Sequence, residues 1–134
     1  MDSNVLIDII EKDPTWHDWS FGQLEEAARL GAIVINHIVV AEVAPQFGSL
    51  EEFLTRIDAI LVEIEPFTDT AAMFAGQAFR TYRKERPGSK SVLADFLIGG
   101  HAVALGADVL TRDPRFYARY FPELTLITPE TDNG

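Results

Sequence analysis

Four acidic residues lie where a predicted strand ends or a predicted helix begins: Asp2, Glu42, Asp95 and Asp113. Each lies in an apolar segment, where burying an unpaired carboxylate is costly. Most of them have no basic neighbour in the sequence, so a bound cation is the simplest source of compensating charge. Carboxylate oxygens are the ligands that Mg²⁺ and Mn²⁺ prefer. The sequence therefore predicts a site for Mg²⁺ or Mn²⁺.

Each acid also has a structural interpretation, because an aspartate at a helix N-terminus often only caps the helix. Asp2 and Asp113 hold positions that fit this role. Four further aspartates are expected to be solvated or to cap helices: Asp8, Asp18, Asp58 and Asp108. The three histidines share no ligand-like spacing, so a catalytic histidine is not expected.

Helices and short apolar strands alternate along the chain. Helices are predicted over 4–11, 14–30, 38–43, 50–60, 69–86, 91–105 and 114–120, and strands over 32–36, 61–64, 108–111 and 124–128. Ser49 and Thr68 are the predicted N-caps of two helices. Alternating strands and helices imply an α/β fold, a three-layer α/β/α sandwich with a short parallel central sheet. Ligands of such sheets bind beyond the carboxyl ends of the strands.

Two glycines in the middle of a predicted helix need an explanation. Gly99 and Gly100 each cost about 1 kcal/mol relative to alanine at such positions. Close approach of another backbone or subunit would explain them.

Length and composition predict one soluble domain over residues 1–134, with a polar tail from about residue 129. No apolar stretch approaches the ~20 residues that span a bilayer, and no signal peptide is evident. The chain has no cysteine. These features fit a cytoplasmic protein without a membrane partner.

The net charge of −10 argues against a protein that coats nucleic acid through a broad basic surface. The charge is uneven, because residues 1–69 carry three basic and fourteen acidic side chains, whereas residues 70–134 carry eight basic and seven acidic ones. Local phosphate contacts therefore remain compatible with the sequence.

Four short motifs surround the acids, in this order: Asp-Ser-Asn at 2–4, Ala-Glu at 41–42, Ala-Asp at 94–95 and Leu-Thr-Arg-Asp at 110–113. Together, at acid separations of 40, 53 and 18 residues, they resemble the PIN domain, and specifically the toxin of VapBC toxin–antitoxin pairs. The likeness covers nearly the whole chain.

The resemblance implies that Asp2, Glu42, Asp95 and Asp113 line one pocket that holds one or two divalent ions. Ser3, Asn4 and Thr111 would support these ligands. The implied activity is metal-dependent endoribonucleolytic cleavage of RNA, with a cognate antitoxin as inhibitor and a homodimer as the expected assembly. A bound divalent cation can activate water and stabilise the charged transition state of phosphodiester hydrolysis.

Basic residues cluster beside the second pair of acids in the sequence. The candidates for contact with the RNA backbone are Arg80, Arg83, Lys84, Arg86, Lys90, Arg112 and Arg115. Phosphate contacts position nucleic acid without reading its bases. The alternative is that these cations only complement the dipole of a helix C-terminus.

The sequence departs from the family at its start, because only Met1 precedes Asp2, where PIN toxins carry an apolar strand. We expect that extension by a few native apolar residues would stabilise the protein. Three alternatives to the toxin are an RNA-processing PIN nuclease without antitoxin, a catalytically idle PIN module and a receiver-type signalling domain. A receiver domain should carry paired acids after its first strand and a lysine after its fifth, and this sequence has neither.

Overall fold

A computed structural model describes residues 1–88 and 93–129 and confirms the predicted alternation of helices and short strands. The chain divides into two units, of which the first is Met1–Pro66. Its elements are α1 (Ser3–Glu11), α2 (His17–Leu30), β1 (Ile33–Ile35), α3 (His37–Val43), a 3₁₀ turn (Ala44–Gln46), α4 (Leu50–Ala59) and β2 (Val62–Ile64).

The second unit begins at Phe67. Its elements are α5 (Asp69–Glu85), α6 (Leu93–Leu105), β3 (Val109–Leu110), α7 (Pro114–Tyr120) and β4 (Leu126–Ile127). The first two residues of the helix predicted over 91–105 and the end of the predicted polar tail lie outside the described residues. The prediction of a single domain stays a prediction.

The strands pair in parallel, as predicted. In the first unit β1 pairs with β2, with Ile33 opposite Val62, and in the second unit β3 pairs with β4, with Val109 opposite Leu126. Each pair is joined through at least one helix, the connection that parallel neighbours require. Asn36 follows β1 directly, so the carboxyl end of this strand leads into α3.

Side-chain caps fix where several helices begin. The Ser49 hydroxyl accepts from the Glu52 backbone N–H at 3.1 Å, and the Thr68 hydroxyl accepts from that of Ala71 at 3.1 Å, as predicted. The Asn36 side chain caps α3 by accepting from the backbone N–H groups of Ile38 and Val39. Because a cap satisfies donors that the first helical turn leaves unpaired, these short polar side chains determine the residue at which each helix begins.

The start of α2 differs from the prediction. Asp13 accepts from the backbone N–H groups of Thr15 and Trp16 at 2.8 Å each, which holds a turn, and the helix begins only at His17. The predicted helix start at Pro14 was therefore three residues early.

The expectation that Asp8 is solvated or caps a helix was wrong. Asp8 is 2% exposed, and its Oδ2 accepts from the Ser20 hydroxyl at 2.8 Å. This bond ties α1 to α2 inside the first unit. A buried carboxylate needs such donors, which is the physical reason for the pairing.

Apolar side chains of α1, α3 and α4 form the core of the first unit, including Leu6, Val39 and Phe53. The core of the second unit is aromatic: Phe96 is fully buried and packs against Phe79, Tyr82 and Phe116 with ring centroids 4.8–5.4 Å apart. Among the described residues, no helix combines the length and apolar character needed to cross a bilayer.

Both mid-helix glycines of α6 lie at close contacts, but the predicted approach of another backbone is found only at Gly100, whereas Gly99 lies against a side chain. A Cβ on Gly100 would lie 2.5 Å from the backbone nitrogen of Ala75 and 2.7 Å from the carbonyl oxygen of Ala71 on α5. A Cβ on Gly99 would overlap the ring of Phe121. Gly100 therefore allows the backbones of α5 and α6 to approach each other.

Candidate functional site

Asp2 is a buried carboxylate at the N-terminus of α1. It is 5% exposed, and its Oδ1 accepts from the Ser3 backbone N–H at 2.8 Å. The capping interpretation of Asp2 is therefore correct as far as it goes. In this role Oδ1 accepts a hydrogen bond from one neutral donor.

Ser3 joins Asp2 to Glu42 in the first unit. Its hydroxyl donates to Glu42 Oε1 at 2.5 Å and lies 3.5 Å from Asp2 Oδ1. These distances, 2.5 and 3.5 Å, bound the separation of the two carboxylate oxygens at about 6 Å. The shorter contact is a charge-assisted hydrogen bond, which is stronger and more directional than a neutral one. Ser3 thus orients an exposed glutamate toward a buried aspartate 40 residues away in sequence.

Two asparagines support this group. The Asn4 amide lies 3.5 Å from Asp2 Oδ2, at the outer limit of a hydrogen bond. Asn36 was not among the predicted site residues, although it is 4% exposed and caps the helix that carries Glu42. A polar residue directly between a buried strand and a helix was the sequence signal for it.

The α-amino group of Met1 lies near the Asp2 carboxylate. The α-amino group of Met1 donates to the Val34 carbonyl oxygen at 3.0 Å. Burial lowers the pKa of this amino group, and the nearby Asp2 carboxylate acts in the opposite direction by favouring its charged form.

The other two predicted ligands belong to the second unit. Asp95 is half-buried in the first turn of α6, and Asp113 is exposed directly before α7. Asp113 makes no side-chain cap bond, so the capping interpretation does not hold for it. Its backbone N–H donates to the Thr111 hydroxyl at 3.0 Å. Thr111 is fully buried and thereby fixes the turn that carries Asp113.

The predicted backbone-contact residues lie on α5 and around α7, except Lys90, which lies outside the described residues. Arg80, Arg83, Lys84, Arg86 and Arg115 are exposed, and Arg112 is half-buried. The neighbouring Arg119 is held by Glu85 at 3.0 Å, so it serves an ion pair within the unit.

The oxygen donors fit a hard divalent cation. Mg²⁺ keeps several waters and is commonly held by one or two carboxylates, so the Asp2–Glu42 pair provides a suitable donor set. Within residues 1–88 and 93–129, no three aspartate, glutamate or histidine side chains form a group that would hold a metal ion. The prediction that the four acids line one pocket holding one or two divalent ions therefore stays a prediction.

Comparison with known proteins places these residues in a family context. A profile of the PIN domain matches residues 1–122. A chain of VapBC2 from Rickettsia felis, solved with a DNA fragment from its promoter, has a TM-score of 0.70 at 26% identity, and the match covers 94% of both chains. No curated protein sequence matches the chain significantly.

Two further solved structures are similar in fold. DNA-bound VapBC from Salmonella typhimurium has a TM-score of 0.65 at 23% identity, covering 95% of this chain and 94% of that one. FitAcB from Neisseria gonorrhoeae has a TM-score of 0.69 at 22% identity, covering 96% of both chains. The predicted α/β class with short parallel strands is thereby confirmed.

Proposed function

Because the chain belongs to the PIN-domain family, whose members are generally nucleases, we propose that it is a divalent-metal-dependent endoribonuclease and the toxin of a toxin–antitoxin pair. The observation that supports this most directly is the Ser3-linked pair of carboxylates, Asp2 and Glu42. Family membership also argues against the receiver-type alternative.

In this proposal Mg²⁺ or Mn²⁺, when bound, makes a water nucleophilic at neutral pH and stabilises charge on the phosphodiester. Asp2 and Asp95 are the proposed direct ligands, and Glu42 and Asp113 are proposed to hold the ion directly or through water. Ser3 holds Glu42 in the orientation that this role needs, and Thr111 fixes the turn at Asp113. Of the four, a carboxylate that the ion does not fully engage would accept the proton of the attacking water.

Exposed arginines of the second unit are the proposed contacts to the RNA backbone. Arg80 and Arg83 are three residues apart on α5 and therefore share a helix face. Guanidinium groups bind phosphate oxygens in a bidentate manner, which suits them to hold a single strand without reading its sequence.

The proposed partner is a cognate antitoxin. The Rickettsia felis structure, 26% identical over 94% of both chains, is a VapBC2 complex, and this likeness supports a protein partner for the present chain. The homodimer implied by the family resemblance is part of the proposal, and sedimentation of the purified protein tests it.

The deciding experiment is incubation of the purified protein with total cellular RNA, with Mg²⁺, with Mn²⁺ or with EDTA, followed by sequencing of the new ends. We expect discrete cleavage that requires either cation and falls at least 100-fold in Asp95→Asn. Asp108→Asn is the matched control, since Asp108 is an exposed aspartate outside the proposed site. Cleavage that persists in EDTA or in Asp95→Asn would overturn the assignment.

Growth of cells that express the chain without an antitoxin separates toxin from housekeeping nuclease. The toxin proposal predicts arrest by the unsubstituted chain and normal growth with Asp95→Asn. RNA cleavage in vitro without growth arrest would favour the RNA-processing alternative instead.

A further inference from the structure

A groove of about 580 Å³ lies between α4 and β2 in the first unit, away from the carboxylate pair. We call it the β2-edge groove. Its walls include Leu54 and Asp58 from α4 and all three residues of β2, Val62, Glu63 and Ile64. It is an open groove at the surface, formed by residues of the first unit.

One edge of β2 offers free strand-pairing capacity. In the part of the chain that the structure describes, β2 pairs with β1 and with no other strand. The Glu65 N–H, just after β2, donates to the Ile35 carbonyl oxygen at 2.8 Å. The backbone N–H and C=O groups of the odd-numbered residues, Glu63 and Glu65, therefore point toward β1. Val62 and Ile64 therefore direct their N–H and C=O groups to the outer edge, as alternation along a strand requires.

The groove combines apolar surface with negative charge. Leu54 is 42% exposed and contributes apolar surface to the wall of the groove. Asp58 and Glu63 are acidic, and none of the described residues that line the groove is basic. An exposed strand edge beside apolar surface is a template for an added strand.

We propose that the β2-edge groove binds an extended, cationic segment of a partner protein by β-strand addition. Side chains of an added strand alternate between the two faces of the sheet. Apolar side chains of the segment would lie beside Val62 and Ile64, and lysine or arginine would lie beside Glu63. Backbone groups supply affinity in this mode, and the alternating side chains supply specificity.

Charge argues against other occupants. Two copies of β2 paired across a twofold axis would bring Glu63 close to its own symmetry mate, and like charges opposite each other destabilise a strand pair. RNA would meet two carboxylates on a unit, Met1–Pro66, that carries thirteen acidic and three basic side chains. A cationic polypeptide is the occupant that the groove complements. This inference is independent of the nuclease proposal.

The probe is a fluorescein-labelled seven-residue peptide of alternating valine and lysine, titrated with the purified full-length chain and followed by fluorescence anisotropy. We expect saturable binding that weakens at least tenfold in Glu63→Lys. Glu11→Lys is the matched control, because it makes the same charge change at an exposed position of the first unit outside the groove. We expect it to change the affinity less than twofold.

Two N-methylated peptides test strand pairing itself. All valine amides of the alternating peptide lie on one edge and all lysine amides on the other, so methylation of one set should abolish binding while methylation of the other set is tolerated. Equal effects of the two methylated peptides, equal effects of the two protein variants, or absence of saturable binding would each overturn the proposal. Self-association that Glu63→Gln strengthens, because this substitution removes the like charge from the twofold pair, would instead assign the edge to a second copy.

Discussion

A single hydroxyl determines how the first-unit carboxylates are arranged. Glu42 is exposed, and an exposed glutamate ordinarily samples many rotamers. The 2.5 Å bond from Ser3 restricts this freedom and directs the carboxylate toward Asp2. In the proposed nuclease, Ser3 is therefore a positioning residue whose effect passes through Glu42.

We predict that Ser3→Ala weakens the apparent affinity for Mg²⁺ by about 10- to 100-fold, because loss of a supporting hydrogen bond commonly has effects of this size at metal sites. Calorimetric titration with Mg²⁺ measures the affinity directly. Ser20→Ala is the control: it also removes a buried serine that bonds a carboxylate, that of Asp8, but it should leave Mg²⁺ affinity unchanged. Equal losses in both variants would mean that Ser3 acts only through stability.

The sequence predicted the role of a carboxylate when its hydrogen-bond partner is a neighbour in the chain, but not when the partner is distant in the chain. Asp2 caps a helix that begins at the next residue, so its position was predictable. Asp8 was misjudged because its donor, Ser20, lies 12 residues further along and faces it only after α1 and α2 pack. The position of a carboxylate in the sequence does not show whether it will accept a hydrogen bond from a buried donor, as Asp8 does, or bind a metal ion.

Close packing of α5 and α6 rests on one position without a side chain. Gly100 lies against the backbone of α5 at Ala71 and Ala75, and backbone cannot rotate away as a flexible side chain can. The glycine therefore offsets its low helix propensity by permitting contact between the two helices.

Gly100→Ala should lower the free energy of unfolding by about 1–3 kcal/mol, the usual cost of forcing an extra methyl into a packed core. The denaturation midpoint in urea measures this, at unchanged m-value. Gly76→Ala on α5 is a control of opposite sign: a Cβ there meets nothing within 4 Å, so better helix propensity should stabilise by up to about 1 kcal/mol. A stabilised Gly100→Ala would contradict the packing argument.

Glu85 at the end of α5 connects this helix to α7. Its Oε2 accepts from Arg119 Nε and Nη2 at 3.1 and 3.0 Å and from the Tyr120 hydroxyl at 3.0 Å. These hydrogen bonds lower the pKa of Glu85. The unfolded state therefore binds more protons than the folded state between the two pKa values, and stability rises with pH across that window.

We predict that Glu85→Gln lowers the melting temperature slightly at pH 7. The difference from the unsubstituted chain should be fully present above the ordinary glutamate pKa near 4.5 and should vanish as the pH falls through the lowered folded value. Thermal melts across this range measure it. In an Arg119→Met background most of the pH dependence of this difference should disappear, because Arg119 is the main cause of the lowered pKa of Glu85. Persistence of the pH dependence there would mean that another partner of Glu85, such as Tyr120, lowers its pKa.

Element boundaries followed from local rules more often than not. The predicted caps Ser49 and Thr68 are confirmed, and the four strands of the described residues lie inside the predicted apolar runs. The start of α2 was missed because an aspartate before a proline can hold a turn as readily as a helix start. The parallel direction of the strands followed from the rule that alternating strands and helices give parallel sheets, but the rule did not predict which strands pair.

Charge is distributed unevenly over the molecule as a whole. Most acidic side chains precede residue 70, whereas eight of the eleven basic ones follow it. Sequence was sufficient to establish this asymmetry. The sequence did not establish which basic side chains are placed to contact phosphate. Arg119 is engaged by Glu85, whereas Arg80 and Arg83 are exposed on α5. Whether the four acids line one pocket depends on tertiary arrangement, which no local pattern encodes.

Salt dependence of RNA binding is the measurement that tests this division of charge. In an Asp95→Asn background, which prevents cleavage in the proposed mechanism, we predict that substitution of both Arg80 and Arg83 by glutamine weakens binding of single-stranded RNA. Because each phosphate contact contributes about 0.7 to the slope of log K against log salt, loss of two contacts should reduce the slope by about 1.4. Arg56→Gln, an exposed arginine of the first unit, should leave the slope unchanged. Equal slopes for the background protein, the Arg80/Arg83 variant and the Arg56 variant would mean that the arginines of α5 serve solubility. RNA would then reach the acids by another surface.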